Sequence, residues 1–163
     1  MSQFSSGKRV LDVPCGMGWG TSLIKNTEKL IGIDIAEDAI SEANARYGNV
    51  ASFEVGSMDD LGFGDETFDV VACLEGIEHV DISIGKKFLQ ESFRVLAKNG
   101  LLLISSPHTE SGEHSGNPFH VHEYSKDELA DMLEKHFSID SVSHRKVDNL
   151  VVDYFVCRKA ATS

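Results

Sequence analysis

Positive charge is scarce in this chain of 163 residues: 15 Lys and Arg stand against 26 Asp and Glu, for a net charge of −11. No basic run exceeds two residues. Binding to phosphate backbones is driven by the release of condensed counterions when Lys and Arg neutralise the phosphates, so a nucleic-acid partner is disfavoured. No apolar run approaches the roughly 20 residues of a membrane span, and the opening Met-Ser-Gln-Phe-Ser-Ser-Gly-Lys-Arg lacks the apolar core of a signal peptide. Cysteines are few, odd in number and far apart: Cys15, Cys73 and Cys157 each sit in an apolar or glycine-rich run. They read as reduced core thiols of a cytoplasmic protein. The length predicts one domain across residues 1–163, with a core that needs no disulfide staples.

What is present is an alternation of apolar runs with helical periodicities. Strands are expected at Arg9–Val13, Leu30–Asp34, Ala51–Val55, Phe68–Leu74 and Leu101–Ser105. Between them, a helix after Gly18 would bury Trp19, Leu23 and Ile24, and Ala36–Tyr47 would bury Ala39, Ile40, Ala43 and Tyr47. Gly85–Lys98 would bury Phe88, Leu89, Phe93 and Leu96 and stop at Asn99-Gly100. Ser57–Glu66 reads as a loop. Pro107–Tyr124 reads as a long one, with two of the three prolines and four of the seven histidines. Ser125-Lys-Asp-Glu128 is a capping box that opens a helix with Leu129, Met132, Leu133 and Phe137 inward. Ile139–His144 and Val151–Cys157 close the chain as two strands. The pattern predicts an α/β fold, a mostly parallel sheet with helices on both faces and a final strand pair that leaves the rhythm.

The stretch that organises the rest is Val10 to Gly20, Val-Leu-Asp-Val-Pro-Cys-Gly-Met-Gly-Trp-Gly. Glycines at a strand-to-helix turn let backbone N–H groups approach a ligand, and a helix start favours negative charge. Dinucleotide sites use G-x-G-x-x-G, but here the glycines fall at 16, 18 and 20, and Thr21 occupies the sixth position. Asp12, four residues before Gly16, would repel a pyrophosphate yet can accept from a ligand ammonium. Asp34 ends the next strand, where a carboxylate can take two hydrogen bonds from ribose hydroxyls. A nicotinamide enzyme is disfavoured further because it needs a second half-site. Capping of neighbouring backbone is the plainer role open to both acids.

These residues resemble the class I S-adenosylmethionine-dependent methyltransferases, from about Lys8 to Lys159. Val10-Leu-Asp-Val-Pro-Cys-Gly-Met-Gly is similar to the first motif of that family, and Ile31-Gly-Ile-Asp-Ile to its ribose-acid motif. Phe68-Asp-Val-Val and Leu101-Leu-Leu-Ile-Ser-Ser-Pro resemble the later motifs. The resemblance implies a Rossmann-like, doubly wound seven-stranded sheet whose last strand is antiparallel. It implies S-adenosylmethionine as cofactor, with Asp12, Gly16 and Gly18 at the methionine end and Asp34 on the ribose. Ile35 would pack on the adenine, Ser57, Met58 and Asp59 would border its edge, and Leu74 would line the sulfonium side. Two positions depart from the pattern: Pro14 replaces a common glycine and removes a donor, and Ser57 stands where many members carry an acid.

A second constellation follows the fourth strand. Glu75-Gly-Ile-Glu78-His79 holds two carboxylates and an imidazole in five residues, and Asn117-Pro-Phe-His120-Val-His122-Glu123-Tyr124 ends the long loop. Three roles are open. Glu75, Glu78, His79 and His120 supply oxygen and nitrogen ligands suited to Mg²⁺, Mn²⁺ or Zn²⁺. Alternatively His79 is a metal-free general base oriented by Glu78, or Glu-His only fixes the turn. Glu-x-x-Glu-His with a later histidine resembles the metal site of small-RNA 2′-O-methyltransferases, and also ubiquinone-pathway and glycan-associated methyltransferases. Phe119 and Tyr124 are candidates for the substrate pocket, and Trp19 for the sulfonium or for packing on the first helix. His108, His114, His136 and His144 read as surface or loop residues, with His122 the best exception.

The leading expectation is methyl transfer to a small-molecule acceptor, at a hydroxyl oxygen. RNA 2′-O-methylation and a cofactor-binding module without its own activity are the alternatives. Few residues precede the first strand, which leaves the cofactor side to be covered by the loop Pro107–Tyr124, by a second copy or by a partner chain.

Overall fold

The computed structural model describes residues 2–160. One sheet of seven strands organises them: β1 (Arg9–Asp12), β2 (Lys29–Asp34), β3 (Ser52–Val55), β4 (Phe68–Leu74), β5 (Leu96–Thr109), β6 (Phe137–Val147) and β7 (Leu150–Lys159). Their order is β3-β2-β1-β4-β5-β7-β6. The β1–β2, β1–β4, β2–β3 and β4–β5 pairs are parallel. β7 runs antiparallel to both of its neighbours, so it alone opposes the rest. The helices are α1 (Ser2–Ser5), α2 (Trp19–Ser22), α3 (Glu37–Tyr47), α4 (Ile82–Val95) and α5 (Lys126–Leu133), with a 3₁₀ turn at Ile77–His79.

Two buried clusters lie on the two faces of the sheet, and strand alternation assigns residues to them. Leu11, Ile31, Val71 and Leu102 pack with Phe88, Leu89 and Val95 of α4 and Leu129, Met132 and Leu133 of α5. Their neighbours Val10, Leu30, Val70 and Leu103 pack with Ile40 and Ala43 of α3. Strands covered on both faces read as continuous apolar runs, which is why the parallel sheet was visible in the sequence.

Several boundaries differ from expectation. The helix predicted at Gly85–Lys98 runs from Ile82 to Val95, because the Asp81 carboxylate caps the N–H groups of Ser83 and Ile84. Leu96 opens β5 opposite Phe68, and Asn99, at φ 61°, is a kink in that run instead of a helix stop. Pro107, His108 and Thr109 pair with Val152, Val151 and Leu150, so the long loop begins only at Glu110. Phe137 is buried as the first residue of β6, not as the end of α5. Ser125 caps α5 by accepting from the Glu128 N–H at 3.2 Å, but the Glu128 carboxylate takes His122 Nε2 at 2.9 Å instead of closing the capping box. After Gly18 the helix lasts one turn; Ile24 is buried, whereas Trp19 is 68% exposed and Leu23 is exposed too. No helix among the described residues is long and apolar enough to cross a membrane.

The strand order, not the strand direction, reverses between β1 and β4: successive strands are added outward to β3 on one side and to β5 on the other. In parallel α/β sheets the crevice beyond the carboxyl ends of the strands at such a point is where ligands bind.

Candidate active site

Two adjoining clefts occupy that crevice. The first, about 430 Å³, is lined by Asp12, Pro14, Cys15, Gly16, Gly20, Ile24, Asp34, Leu74, Glu75 and His79. The second, about 280 Å³, has mainly apolar walls from Val13, Pro14, Ile35, Met58, Val80 and Ile84, with Ser57 and Gly56 at its edge. Pro14, Asp34 and His79 border both.

Asp12 is almost fully buried at the end of β1, where Thr21 Oγ1 donates to its Oδ2 at 2.5 Å. Burial lifts its carboxyl from 3.8 to about 6, with the Thr21 hydrogen bond pulling the other way. Thr21, the residue that breaks the dinucleotide pattern, thus orients the acid that distinguishes this site. Asp34 spans the turn: its Oδ2 accepts from Gly16 N–H at 2.8 Å and its Oδ1 from Ala36 N–H at 3.0 Å. Each oxygen keeps a second lone pair.

The glycines work differently from the donors expected of them. Gly16 N–H is taken by Asp34, and Gly18 N–H by the Cys15 carbonyl at 3.0 Å. Gly18 lines neither cleft; at φ 80° it packs so closely that a Cβ would lie 2.8 Å from the Phe53 ring. α2 is a single turn, too short to contribute a helix field of any size. Clearance and chain reversal are what the turn supplies. Among the predicted adenine-side residues, Ile35, Ser57 and Met58 line the second cleft. Asp59 lines neither: it accepts from Ser57 Oγ and pairs with Lys87, and the Ser57 bond is the main reason its carboxyl lies below the usual range.

Gly76 is a constraint that the sequence did not reveal. A Cβ there would stand 2.3 Å from Pro14 Cδ, on the wall shared by both clefts. Gly76→Ala is therefore expected to cost about 1–3 kcal/mol in thermal or urea unfolding, as overpacking does. Wild-type stability in that variant would mean that Pro14 yields freely.

Beyond Gly76 the 3₁₀ turn carries the second group. Ligand atoms of Glu78, His79 and His120 lie within 4.8 Å of one another, although 40 residues separate the two histidines. Backbone bonds bring them together: Val121 and His122 N–H donate to the Glu78 carbonyl at 2.8 and 3.2 Å. His79 Nδ1 meets the Phe119 carbonyl at 2.8 Å, which requires Nδ1 to donate and leaves the lone pair on Nε2. Glu78 is 1% exposed and its Oε2 has no hydrogen-bond partner. Burial first of all raises its carboxyl to about 7. Glu75, expected as a fourth ligand, stands outside this group among the described residues. Its left-handed backbone (φ 53°) ends β4 before Gly76, and its N–H is held by Ser105 Oγ at 3.0 Å.

Tyr124 is 1% exposed and belongs to the core, not to the pocket, whereas Phe119 is 74% exposed on the loop that abuts His79. His122 pairs with Glu128, and His108 with Asp153, away from both clefts. All three cysteines are buried and unpaired, with burial pushing Cys15 and Cys157 up to about 12.

A family model described as a methyltransferase domain matches residues 10–100, from β1 through α4 to the start of β5. The chain belongs to this family. A Mycolicibacterium smegmatis protein named "Probable S-adenosylmethionine-dependent methyltransferase" is 34% identical over 134 residues, which is 79% of this chain and 51% of that protein. An Aspergillus sclerotiorum protein named O-methyltransferase resE is 33% identical over 62% of this chain and 40% of its own length. A crystal structure from Methanosarcina mazei, described as a SAM-dependent methyltransferase, superposes with a TM-score of 0.81 at 19% identity, covering 98% of this chain and 96% of that one. This chain thus spans about half the length of the leading curated relatives.

Proposed function

We propose that this domain transfers a methyl group from S-adenosylmethionine to a hydroxyl oxygen of a small-molecule acceptor. The observation that carries the reading is one crevice with Asp12 and Asp34 on its floor and Glu75 and His79 at its mouth. The cofactor's ammonium is an ion that the desolvated Asp12 carboxylate would bind strongly. Asp34 retains a lone pair on each oxygen for the ribose hydroxyls, and the apolar second cleft, with Ile35, Ser57 and Met58, suits the adenine. Gly16 supports Asp34, Gly18 shapes the turn, and Leu74 flanks the sulfonium. Asp59 acts on this site only through Ser57.

When bound, S-adenosylmethionine would supply an electrophilic methyl group to the acceptor oxygen, with its thioether as the leaving group. The hydroxyl proton would go to His79 Nε2, whose lone pair is kept free by the bond from Nδ1 to Phe119. Glu78, His79 and His120 also fit a divalent cation such as Mg²⁺, Mn²⁺ or Zn²⁺: the orphaned Glu78 Oε2 is a buried acceptor that such a charge would satisfy. A bound ion would supply acidity to the acceptor hydroxyl.

Among the described residues no lysine or arginine lines either cleft, which supports a small acceptor over RNA. The name of the Aspergillus relative supports oxygen as the target. Exposed Met17, Trp19 and Leu23 beside the methionine side support a covering chain there, from a second copy or a partner. The buried thiols support a reducing, cytoplasmic setting.

Two measurements test the reading. Asp34→Ala is expected to bind S-adenosylhomocysteine at least about tenfold more weakly by calorimetry, since it loses charge-assisted bonds to the ribose and the anchor of Gly16. Equal affinity sinks the ribose role. Mass spectrometry of hydroxylated acceptors incubated with methyl-labelled cofactor then locates the methyl group; label on nitrogen or carbon alone would falsify the oxygen assignment.

A further inference from the structure

Glu123 has no part in the roles above, yet its side chain is almost wholly buried beside His120. It accepts from the Ser115 N–H at 2.8 Å, from the Ser115 hydroxyl and from His120 Nδ1 at 2.6 Å. Burial alone would raise its carboxyl, but these donors outweigh burial and hold it below the usual carboxylate range. Asn117 grips the opposite side of the ring. Its Oδ1 accepts from the Phe119 N–H at 3.0 Å, which orients the amide so that Nδ2 donates to His120 Nε2 at 2.9 Å. A ring nitrogen that accepts carries no proton. His120 is therefore specified from both sides as the Nδ1–H tautomer, with its ring 5.3 Å from that of His79. His114 is specified in the opposite sense: its Nδ1 accepts from Gly116 N–H, so its Nε2–H donates to the His120 carbonyl.

We propose that Glu123 is a positioning residue for methyl transfer. It holds His120 as the Nδ1–H tautomer, so that the lone pair sits on Nε2 for an ion or an acceptor hydroxyl, and Asn117 occupies that lone pair until a ligand displaces it. The inference rests on the proposed function only in taking His120 as part of the transfer site. A carboxylate behind a histidine is how the tautomer and basicity of such a ring are generally set, and losing one costs about 10–100-fold in ion affinity. Leucine has a similar shape and no acceptor, whereas glutamine would keep an oxygen at Oε1 for His120 and the Ser115 hydroxyl.

Long-range ¹H–¹⁵N correlation spectra of the ¹⁵N-labelled, metal-free chain read the tautomer directly. The wild type is expected to show His120 as Nδ1–H, and Glu123→Leu to lose that pattern. An Nε2–H ring in the wild type, or an unchanged pattern in Glu123→Leu, overturns the proposal. Should Glu123→Leu not fold, Asn117→Ala decides: the pattern persists if Glu123 sets it, and a switch to Nε2–H there counts against the role. Calorimetric titration with Zn²⁺ is the second readout, with Glu123→Leu expected to bind about 10–100-fold more weakly than wild type. Equal affinity in the two overturns the positioning role toward the ion. A wild-type chain that binds no Zn²⁺ removes the ion from the proposed function, and the spectra still decide the role of Glu123.

Discussion

Asp12→Asn is expected to weaken S-adenosylmethionine binding by about 10–100-fold while making the ligand-free chain more stable at neutral pH. The two effects have one cause. Asp12 is buried with a single donor, Thr21, and its carboxyl is lifted from 3.8 to about 6. A carboxyl raised on folding stabilises the fold fully below the unfolded value of 3.8, and that contribution is lost as pH rises through about 6. At pH 7 the free chain therefore carries an ionised, desolvated acid at a cost on the order of 3 kcal/mol, at about 1.4 kcal/mol per pH step. Asparagine keeps the acceptor for Thr21 and removes the charge, so its stability at pH 7 rises toward that of the wild type at pH 4. The cofactor ammonium needs the charge, so wild-type affinity is expected to fall as pH drops below about 6, while Asp12→Asn shows no such step. Urea unfolding at pH 5 and pH 8, with calorimetry at the same values, checks both halves. An asparagine variant that binds as tightly as the wild type would remove Asp12 from the ammonium site.

His79→Ala is expected to lower kcat by about 10²–10⁴-fold, the usual worth of a positioned proton acceptor, while S-adenosylhomocysteine still binds. His79 borders both clefts and is the one histidine, lysine or arginine among the described residues to line them, and its Nδ1 bond to Phe119 leaves Nε2 as its basic nitrogen. Chelation of the wild type separates the two roles open to His79. Activity that survives exhaustive chelation in the wild type assigns the proton to Nε2 acting alone. Activity lost on chelation and restored by Mg²⁺, Mn²⁺ or Zn²⁺ assigns the acidity to an ion held with Glu78 and His120. A His79→Ala variant with wild-type kcat would leave the turn with a structural role only.

Much of the fold was legible because local rules and tertiary packing agree here. Val10–Asp12, Leu30–Asp34 and Phe68–Leu74 are apolar on both faces, and only a strand covered by helices on both sides has use for that. Boundaries slipped where a polar contact or a strand partner outranked periodicity. Asp81 started α4 early, and pairing with Phe68 took Leu96 and its neighbours into β5 although their spacing continues the helix. Trp19 and Leu23 have helical spacing, but one turn of α2 offers nothing to bury them against.

By itself the sequence determined that Asp12 and Asp34 would share one crevice: both are strand ends, and strand ends converge wherever parallel strands are neighbours. It also determined that Glu78 and His79 would stand together, because they are adjacent on one turn. Tertiary structure decided the rest. It brought His120 to that turn through the bonds of Val121 and His122 to Glu78, left Glu75 out of the group and buried Tyr124 in the core. It used the amides of Gly16 and Gly18 internally, and gave Thr21, Gly76, Asn117 and Glu123 their roles. Those roles depend on hydrogen bonds and steric contacts whose partners are fixed only when the loops dock. No period or motif spacing along the chain records which side chain will meet which across them.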